Sequence, residues 1–551
     1  SRVIEKGTKN EFYTVNLFSD YSRQLGDHYF KVMGGFNAEH QNVRTLSAQR
    51  DGIIVPDLPT IDTSTEQDVA GGGYNHWATA GFFGRLNYNY KEKYLLEVNG
   101  RYDGTSRFMK DQRWNFFPSF SLGWNVAREN FWKPLESVVN QFKLRGSWGE
   151  LGNQNTSNLY PFYEILPVKS NSGNWLVNGG KTNTADIPSL VSTLLTWERV
   201  RSFNVGFDFG AFSNRLTGSF DYFVRKTVDM VGPAPQLPLV LGIAPAIVNN
   251  ADMKSYGFEI ELSWRDRIGE VDYGVKFNLA DAQQKVVKYP NTTNAFNDWY
   301  AGKMSGEIWG YTSLGIAKTD EEMKEHLASL PNGGQNQLGN KWGAGDIMYA
   351  DINGDGKVDG GKGTLADPGD QRIIGNSTPR YNFGLVLDAS YKGFDVSIFF
   401  QGVGKRDYAP IVGTNGAVFW GAVNNIWQSM AMEEHFDYFR PEGHPMGANL
   451  NGYYPRPDFT SNKNHQVQTR YLQDASYIRL KNLQIGYTLP KQWINKLHIN
   501  RCRVYVSGDN LWTGTSLASM FDPETLAAGD WGSGKTYPLS KVISFGLNVN
   551  F

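Results

Sequence analysis

One stretch of the sequence places oxygen-bearing side chains at the spacing of a calcium-binding loop. Residues 351–359 read Asp-Ile-Asn-Gly-Asp-Gly-Lys-Val-Asp, so that acidic and amide side chains alternate around a glycine turn. An EF-hand loop draws its ligands from alternate positions, including one backbone carbonyl, because calcium takes several oxygen ligands. The candidate ligands are the side chains of Asp351, Asn353, Asp355 and Asp359 and the carbonyl of Lys357. The pattern therefore makes Ca²⁺ the candidate cofactor.

The twelfth position of this loop departs from the calcium pattern. An EF-hand has a bidentate Glu there, whereas this sequence has Lys362, so Asp367 or Asp370 would have to complete the site. The alternative is a turn in which Asp and Asn side chains accept hydrogen bonds from nearby backbone amides without a metal. Both interpretations stay open, and each gives the loop a structural role.

No catalytic motif stands in a fitting context. Residues 529–536 match the phosphate-binding string G-x-x-x-x-G-K-T, but Pro523 precedes them and Pro538 follows, whereas a P-loop needs a strand before it and a helix after it. The motifs G-x-S-x-G and H-E-x-x-H are absent. The densest acid and histidine cluster is Glu433, Glu434, His435 and Asp437, which we interpret as a solvated loop face. We therefore expect no enzymatic activity, no catalytic residue and no organic cofactor.

The elements around these residues are strands, as the last segment shows most clearly. From Lys541 to Phe551, apolar side chains alternate strictly with small polar ones. A tilted membrane strand has about 9–11 residues, with an apolar face toward lipid and a polar face toward the lumen. This segment therefore predicts a membrane-spanning strand, and its final aromatic residue resembles the C-terminal signature of outer-membrane barrels.

The same alternation recurs in pairs of segments joined by short turns. Clear pairs flank the turns at 91–93, 213–215 and 391–393. Weaker pairs are 12–20 with 29–40, 115–126 with 142–151, 253–264 with 273–283, and 477–487 with 501–510. In total we expect about fifteen strands, which indicates an all-β, antiparallel, up-and-down transmembrane β-barrel.

Composition agrees with this prediction and excludes other classes. The chain is 14% aromatic and has 60 glycines, and no stretch approaches the ~18 apolar residues of a membrane helix. A net charge of -1 without a run of Lys and Arg argues against nucleic-acid binding. Cys502 is the one cysteine, so no internal disulfide can form, and we expect it on an apolar face.

An odd number of strands predicts that part of the barrel lies outside this sequence. Bacterial barrels normally have an even count, and an open sheet edge cannot face lipid. A plugged transporter of about 22 strands would place about seven of them before residue 1. We therefore interpret 1–551 as the C-terminal part of such a barrel.

Long connections between the predicted hairpins should be extracellular loops. They are 41–76, 152–196, 227–252, 284–377, 403–470 and 513–540. Their tryptophans are candidates for substrate contact, although most aromatic residues of a barrel form interfacial girdles or pack loops. These tryptophans are Trp175, Trp299, Trp309, Trp342, Trp420, Trp427 and Trp531. We expect the inward strand charges Asp103, Arg107 and Arg225 to contact a plug or lumen water.

A series of short elements resembles the SusC/RagA family of TonB-dependent transporters. The most specific is Asp-Gly-Thr-Ser-Arg-Phe at 103–108, directly after a predicted strand. Further elements follow in the family's order and cover nearly the whole chain. They are Ser121–Trp124, Glu129–Phe131, Leu144–Gly149, Gly152–Gln154, Gly345–Ile347, Asp351–Gly356, Arg479–Leu483, Gly486–Pro490, Ser507–Leu511, Phe521–Glu524 and Tyr537–Pro538. The family's N-terminal extension, TonB box and plug have no counterpart here.

The resemblance implies active import across the outer membrane of a Gram-negative bacterium. It implies a SusD-like surface lipoprotein that captures substrate and a TonB complex that acts through the part outside this chain. The substrate would be an oligomeric nutrient, most often a glycan, with peptide as the main alternative. Two other hypotheses stay open, namely a passive porin and a soluble glycan-binding or glycan-hydrolysing β-protein.

Overall fold

The computed structural model shows one large antiparallel sheet that carries loops at one end. It describes residues 1–551 except 157, 234–239, 241, 244, 411–416, 422–430, 459–460, 496–497 and 527–535. Alternating apolar and polar residues, rich in aromatic and β-branched types, favour strands throughout the sheet. Among the described residues, no helix has the length and apolar character needed to span a membrane.

Fifteen strands pair in chain order, each antiparallel to the next, which confirms the predicted count and topology. They are β1 (Arg2–Leu25), β2 (His28–Asp51), β3 (Val69–Tyr90), β4 (Tyr94–Thr105), β5 (Trp114–Asn125), β6 (Val139–Asn153), β7 (Glu198–Ala211), β8 (Leu216–Val231), β9 (Asn249–Ile268), β10 (Val271–Lys288), β11 (Arg380–Tyr391), β12 (Phe394–Lys405), β13 (Tyr477–Thr488), β14 (Arg501–Thr515) and β15 (Val542–Asn550).

At one end of the sheet the strands are joined by turns of 2–4 residues and by two connections of 13 and 12 residues, 126–138 and 489–500, whereas most loops at the other end are longer. The turn between β11 and β12 is typical of the short ones, because Lys392 and Gly393 have φ values of 44° and 90°. Positive φ at both central residues defines the type I′ turn, whose twist matches that of the paired strands. The long loops are 52–68, 106–113, 154–197, 232–248, 289–379, 406–476 and 516–541.

The prediction of a loop at 41–76 is wrong over much of that range. Strand β2 continues to Asp51 and β3 begins at Val69, with Gln49 opposite Val69 in the register. At 24 residues, β2 is about 80 Å long, well beyond the thickness of a bilayer. Beyond the membrane both faces of a strand meet water, so the backbone pairs without the apolar alternation on which the prediction relied.

The connections between the strands contain small elements of their own. Helix α1 spans Asp320–Ala328, α2 spans Ala417–Trp420 and α3 spans Lys491–Ile494. Short paired segments are Val168–Lys169 with Thr184–Ala185, Leu176–Val177 with Gly180–Lys181, Glu307–Gly310 with Arg372–Asn376, Ser313–Ile316 with Ile347–Tyr349, and Asp407–Tyr408 with Gln473–Asp474. The 3₁₀ turns are Ile61–Thr63, Lys110–Gln112, Val126–Arg128, Asn130–Leu135 and Glu433–Phe436.

Candidate functional site

The two faces of the sheet differ in chemistry as a membrane barrel requires. Residues directly opposite one another in the register lie on the same face. Trp148, Phe203, Val224 and Tyr256 form such a row across β6 to β9, and Phe203 is 48% exposed although apolar. The next row on the other face holds Ser147 and Asn204. Large exposed apolar surface on one face and polar side chains on the other identify a lipid face and a lumen face.

Some charges on the lumen face are paired with one another. Arg145 binds Asp208 at 3.1 Å and also contacts Asp221 on the next strand. A recess of about 530 Å³ lies beside Arg145 along this face. Its polar lining comes from Lys31, Asn87, Asn89, Glu97, Ser121, Lys143, Ser147 and Asn204. The wall therefore offers mostly neutral hydrogen-bonding groups to a solute.

The inward strand charges named from sequence occupy three different settings. Asp103 is paired with Arg101, Nη2 to Oδ1, at 2.9 Å. Arg107 lies over the Trp77 ring at 5.3 Å, and its buried Nε atom has no hydrogen-bond partner among the described residues. Arg225 lies opposite Ser202, in the row that continues the lumen face. Contact of these residues with a plug stays a prediction.

Three long loops, 289–379, 406–476 and 516–541, pack against one another around a shared aromatic core. We call this cluster the loop core. It consists of Tyr311, Leu330, Ile347, Tyr349, Val358, Val418, Phe419, Trp420, Tyr454, Tyr471, Ala475, Leu517, Phe521 and Leu526. Trp420 and Tyr349 are fully buried, and burial raises the pKa of the Tyr349 hydroxyl well above its usual value. The loops therefore form a packed rim at the mouth of the barrel.

A buried carboxylate joins two of these loops. Asp346 is fully buried and accepts hydrogen bonds from Arg456 at 2.7 and 2.6 Å, from Lys463 Nζ at 2.9 Å and from Asn464 Nδ2 at 2.9 Å. The Lys463 ammonium, whose side chain is 1% exposed, also donates to the carbonyls of residues 340 and 341. Because every charge has an opposite partner, burial of this cluster is compensated.

A second ionic cluster ties the third loop to the barrel wall. Arg479, near the start of β13, binds Asp522 at 2.9 Å and Glu524 at 2.8 Å, and Lys481 binds the same Glu524 at 2.7 Å. The Arg479 Nε atom donates to Thr513 Oγ1 at 2.8 Å. The loop that follows β14 is therefore held against the neighbouring strand β13.

The seven loop tryptophans separate into structural and exposed residues. Trp420 lies in the loop core, Trp342 packs on Tyr349, and Trp309 stacks on Phe296 with ring centroids 4.6 Å apart. Trp299 is half-buried against Tyr289. Trp175 is 60% exposed on the loop 154–197. Trp427 and Trp531 lie outside the described residues.

In the acid and histidine cluster at 433–437, the carboxylates of Glu433, Glu434 and Asp437 are exposed, as expected of a solvated loop face, whereas His435 is buried. His435 is buried; its Nδ1 accepts from the Met432 amide at 3.0 Å, and its Nε2 lies 3.1 Å from the Phe419 carbonyl. Glu434 accepts a hydrogen bond from Ser519. The segment therefore presents its carboxylates to solvent while the His435 ring packs inward, which sequence spacing does not reveal. Residues 529–535 of the phosphate-binding string lie outside the described residues.

The calcium-like loop is organised by its own side chains. Asp351 accepts from the amides of Gly354 and Gly356 at 2.6 and 2.8 Å, and Gly356 has the left-handed φ of 81° that a sharp loop turn needs. Asn353 accepts from the Asp355 amide at 3.0 Å. Asp359 pairs with the Lys357 ammonium at 2.5 Å, which lowers the pKa of Asp359.

The oxygen types of this loop suit calcium, but Asp370 does not complete the set. It is fully buried and accepts hydrogen bonds from the amides of Ile352 at 2.7 Å and Asp359 at 2.8 Å. Asp370 therefore holds the two ends of the loop together. Within the described parts of the chain, no three His, Cys, Asp or Glu side chains are grouped closely enough to hold a metal. Calcium binding by Asp351, Asn353, Asp355, Lys357 and Asp359 stays a prediction.

Sequence reasoning missed the residues that hold the rim together. Asp346, Arg479 and Asp522 all stand in elements that resemble the SusC/RagA family, but the elements alone do not show what each contacts. Asp346 and Lys463 are 117 positions apart in the chain. The charged residues within these short elements were the available signal.

Comparison with known proteins agrees with the geometry. The family model "TonB dependent receptor-like, beta-barrel" matches residues 4–511. TonB-dependent receptor P3 of Formosa agariphila is 28% identical over 98% of this chain and 52% of its own length. TonB-dependent receptor SusC of Bacteroides thetaiotaomicron is 24% identical over 98% of this chain and 50% of its own. The chain thus spans about half the length of these curated relatives.

Among solved structures, the RagAB peptide transporter has the same fold. The superposition covers 100% of this chain and 56% of that one, with a TM-score of 0.79 and 21% sequence identity. Proteins of the matched type lie in the outer membrane of Gram-negative bacteria. The predicted fold class and location are confirmed: the chain belongs to the TonB-dependent receptor-like β-barrel family, and its similarity to SusC and to RagAB agrees with the resemblance seen in the sequence.

Proposed function

We propose that this chain forms the wall and mouth of an energised importer that takes up oligomeric glycans together with a SusD-like surface lipoprotein. The observation that carries the proposal is the combination of a polar lumen wall with a packed rim of three loops. A rim held by buried ion pairs gives a partner lipoprotein a firm surface on which to dock. TonB would act through a part of the protein that this chain does not include.

The chemistry of the wall favours glycans over strongly charged solutes. Carbohydrate hydroxyls both donate and accept hydrogen bonds, as do the Ser and Asn side chains that line the recess. The inward cation Arg145 is already paired with Asp208 and Asp221. Trp175 offers an exposed ring at the mouth, and a flat aromatic surface can stack on a sugar ring.

Peptide import is the second candidate. RagAB is named a peptide transporter, and the likeness between it and this chain extends to the fold. A passive porin is the third possibility within the same architecture. The soluble β-protein is set aside because the chain belongs to an outer-membrane barrel family.

Uptake by intact cells separates these candidates. Cells that express the whole protein would be given a labelled oligosaccharide or a labelled peptide of similar mass, with and without a protonophore. We expect protonophore-sensitive uptake of the oligosaccharide and recovery of a lipoprotein with the purified transporter. Energy-dependent uptake of the peptide alone would establish peptide import. Uptake at the same rate with and without the protonophore would refute active import.

A further inference from the structure

A row of four basic residues, with one Glu at its end, crosses five neighbouring strands on the lipid face. The row runs from β6 to β10, and each member lies directly opposite the next in the register. Its members are Glu150, Arg201, Lys226, Lys254 and Lys285. We call this set the basic row. Side chains in directly opposed positions are about 5 Å apart at Cβ, so the four cations form one continuous surface.

The basic row lies at the boundary of the apolar belt. On β6 to β9, the row two residues away on the same face is Trp148, Phe203, Val224 and Tyr256, and the rows beyond it include Tyr222 and Phe258. The basic row lies on the long-loop side of these residues, because β6, β8 and β10 run toward the long loops. In outer-membrane barrels the longer loops are extracellular. The basic row is therefore at the level of the outer-leaflet headgroups.

Cations exceed anions in this region. Arg201 Nε binds Glu150 at 2.7 Å. Arg199 lies two residues away on the same face of β7, and its Nη2 atom binds Asp229 at 2.7 Å. Lys226 has only a long contact of 3.9 Å to Asp252.

Lys254 and Lys285 lack carboxylate partners in the part of the chain that the structure describes, and Lys254 Nζ lies 5.4 Å from the centre of the Tyr256 ring. Like charges that face each other across strands are destabilising. Three lysines opposed on three strands thus carry a cost that an anionic ligand would remove.

We propose that the basic row binds the phosphate groups of anionic glycolipids in the outer leaflet. Lys226, Lys254 and Lys285 would hold phosphate through charge-assisted hydrogen bonds. The acyl chains would lie along the apolar rows beneath, where Tyr256 occupies the interfacial position typical of tyrosine in membrane proteins. This site is on the opposite face of the sheet from the lumen, so it does not depend on which nutrient is imported.

Lipid is the proposed occupant because the basic row lies directly above apolar rows on the lipid face. A free phosphate ion needs only the charges, whereas the apolar rows directly beneath them suit the attached acyl chains. An acidic surface of a partner protein is the alternative occupant. Lys226 is 44% exposed along its side chain, which leaves the ammonium accessible from the membrane side.

The test is a lipid titration of the whole transporter in neutral detergent, followed by native mass spectrometry. The probes are a bisphosphorylated glucosamine-disaccharide lipid and the same lipid without phosphates. The test variant combines Lys226→Gln, Lys254→Gln and Lys285→Gln. The matched control combines Lys31→Gln, Lys143→Gln and Lys276→Gln, which removes the same charge from residues that line recesses on the lumen face. Retention of the heat-sensitive gel mobility of the folded barrel shows that each variant folds.

We expect the phosphorylated lipid to bind the wild type and the control with equal affinity and to bind the test variant at least about tenfold more weakly. Raising the salt concentration should weaken the wild-type interaction, since exposed charges are screened. Equal binding by the test variant, or equal binding of the lipid without phosphates, would overturn the proposal. Displacement of the lipid by equimolar inorganic phosphate would also overturn it, in favour of a free-phosphate site. Binding of an acidic partner protein without lipid would favour that occupant instead.

Discussion

Replacing Asp346 with Asn tests whether the buried ion cluster holds the rim of loops together. The change keeps the size of the side chain but removes its charge, so that the Lys463 ammonium, 1% exposed, retains two carbonyl partners and only a long contact of 3.8 Å to the Asp458 carboxylate. Removing one partner of a buried ion pair costs about 3–5 kcal/mol, because the other charge stays buried without compensation. We expect the free energy of opening of the loop core to fall by about that amount.

Hydrogen exchange of the Ile347 and Tyr349 amides, read by mass spectrometry, measures this opening. These amides are bonded to Asn464 Oδ1 and Gln335 Oε1 inside the loop core. A loss of about 3–5 kcal/mol speeds their exchange by roughly 150-fold to 5000-fold, since 1.4 kcal/mol is a factor of ten.

The control for this prediction is Asp186→Asn, which breaks an exposed pair with Lys169 whose side chains are 47% and 57% accessible. Exposed pairs contribute at most about 1 kcal/mol. If Asp346→Asn changed the exchange rates no more than this control, the reasoning about the buried cluster would be refuted.

Three further predictions concern the rim and the calcium-like loop. Burial lowers the pKa of His465 to about 4, below its ordinary value near 6.5, so the neutral ring stabilises the folded loops above pH 6.5 and up to about 3 kcal/mol is lost as the pH falls to 4. Loop protection from protease should therefore fall over that range in the wild type but not in His465→Phe. Trp175→Ala should weaken oligosaccharide binding about threefold to tenfold, with unchanged thermal stability, because the ring is exposed. Trp420→Ala should instead destabilise the loop core by about 3–5 kcal/mol, as seen in thermal unfolding, and the reverse pattern would contradict our placement of both rings. Calcium should slow proteolysis at 351–359 and Asp351→Asn should abolish the effect, whereas equal rates in calcium and in EGTA would refute metal binding.

The strands could be predicted because their signal is local. Alternation with a period of two places each residue on the lipid or the lumen face, and the paired segments on either side of a short turn set the register. The expected strand count and antiparallel topology follow from such patterns and are confirmed, whereas the family was predicted from the resemblance of short sequence elements and is confirmed by the family model. The one large error, at 41–76, arose where strands leave the membrane and the hydropathy requirement ends.

The tertiary structure alone decided which loop residues act together. Trp420 and Trp175 have the same side chain and both stand in long loops, yet one is fully buried and the other is 60% exposed. The ion pair of Asp346 with Lys463 joins residues 117 positions apart. The opposed lysines of the basic row likewise come from separate strands. The hydropathy pattern along the chain does not reveal such contacts, because burial and charge pairing depend on which distant segments the sheet brings side by side.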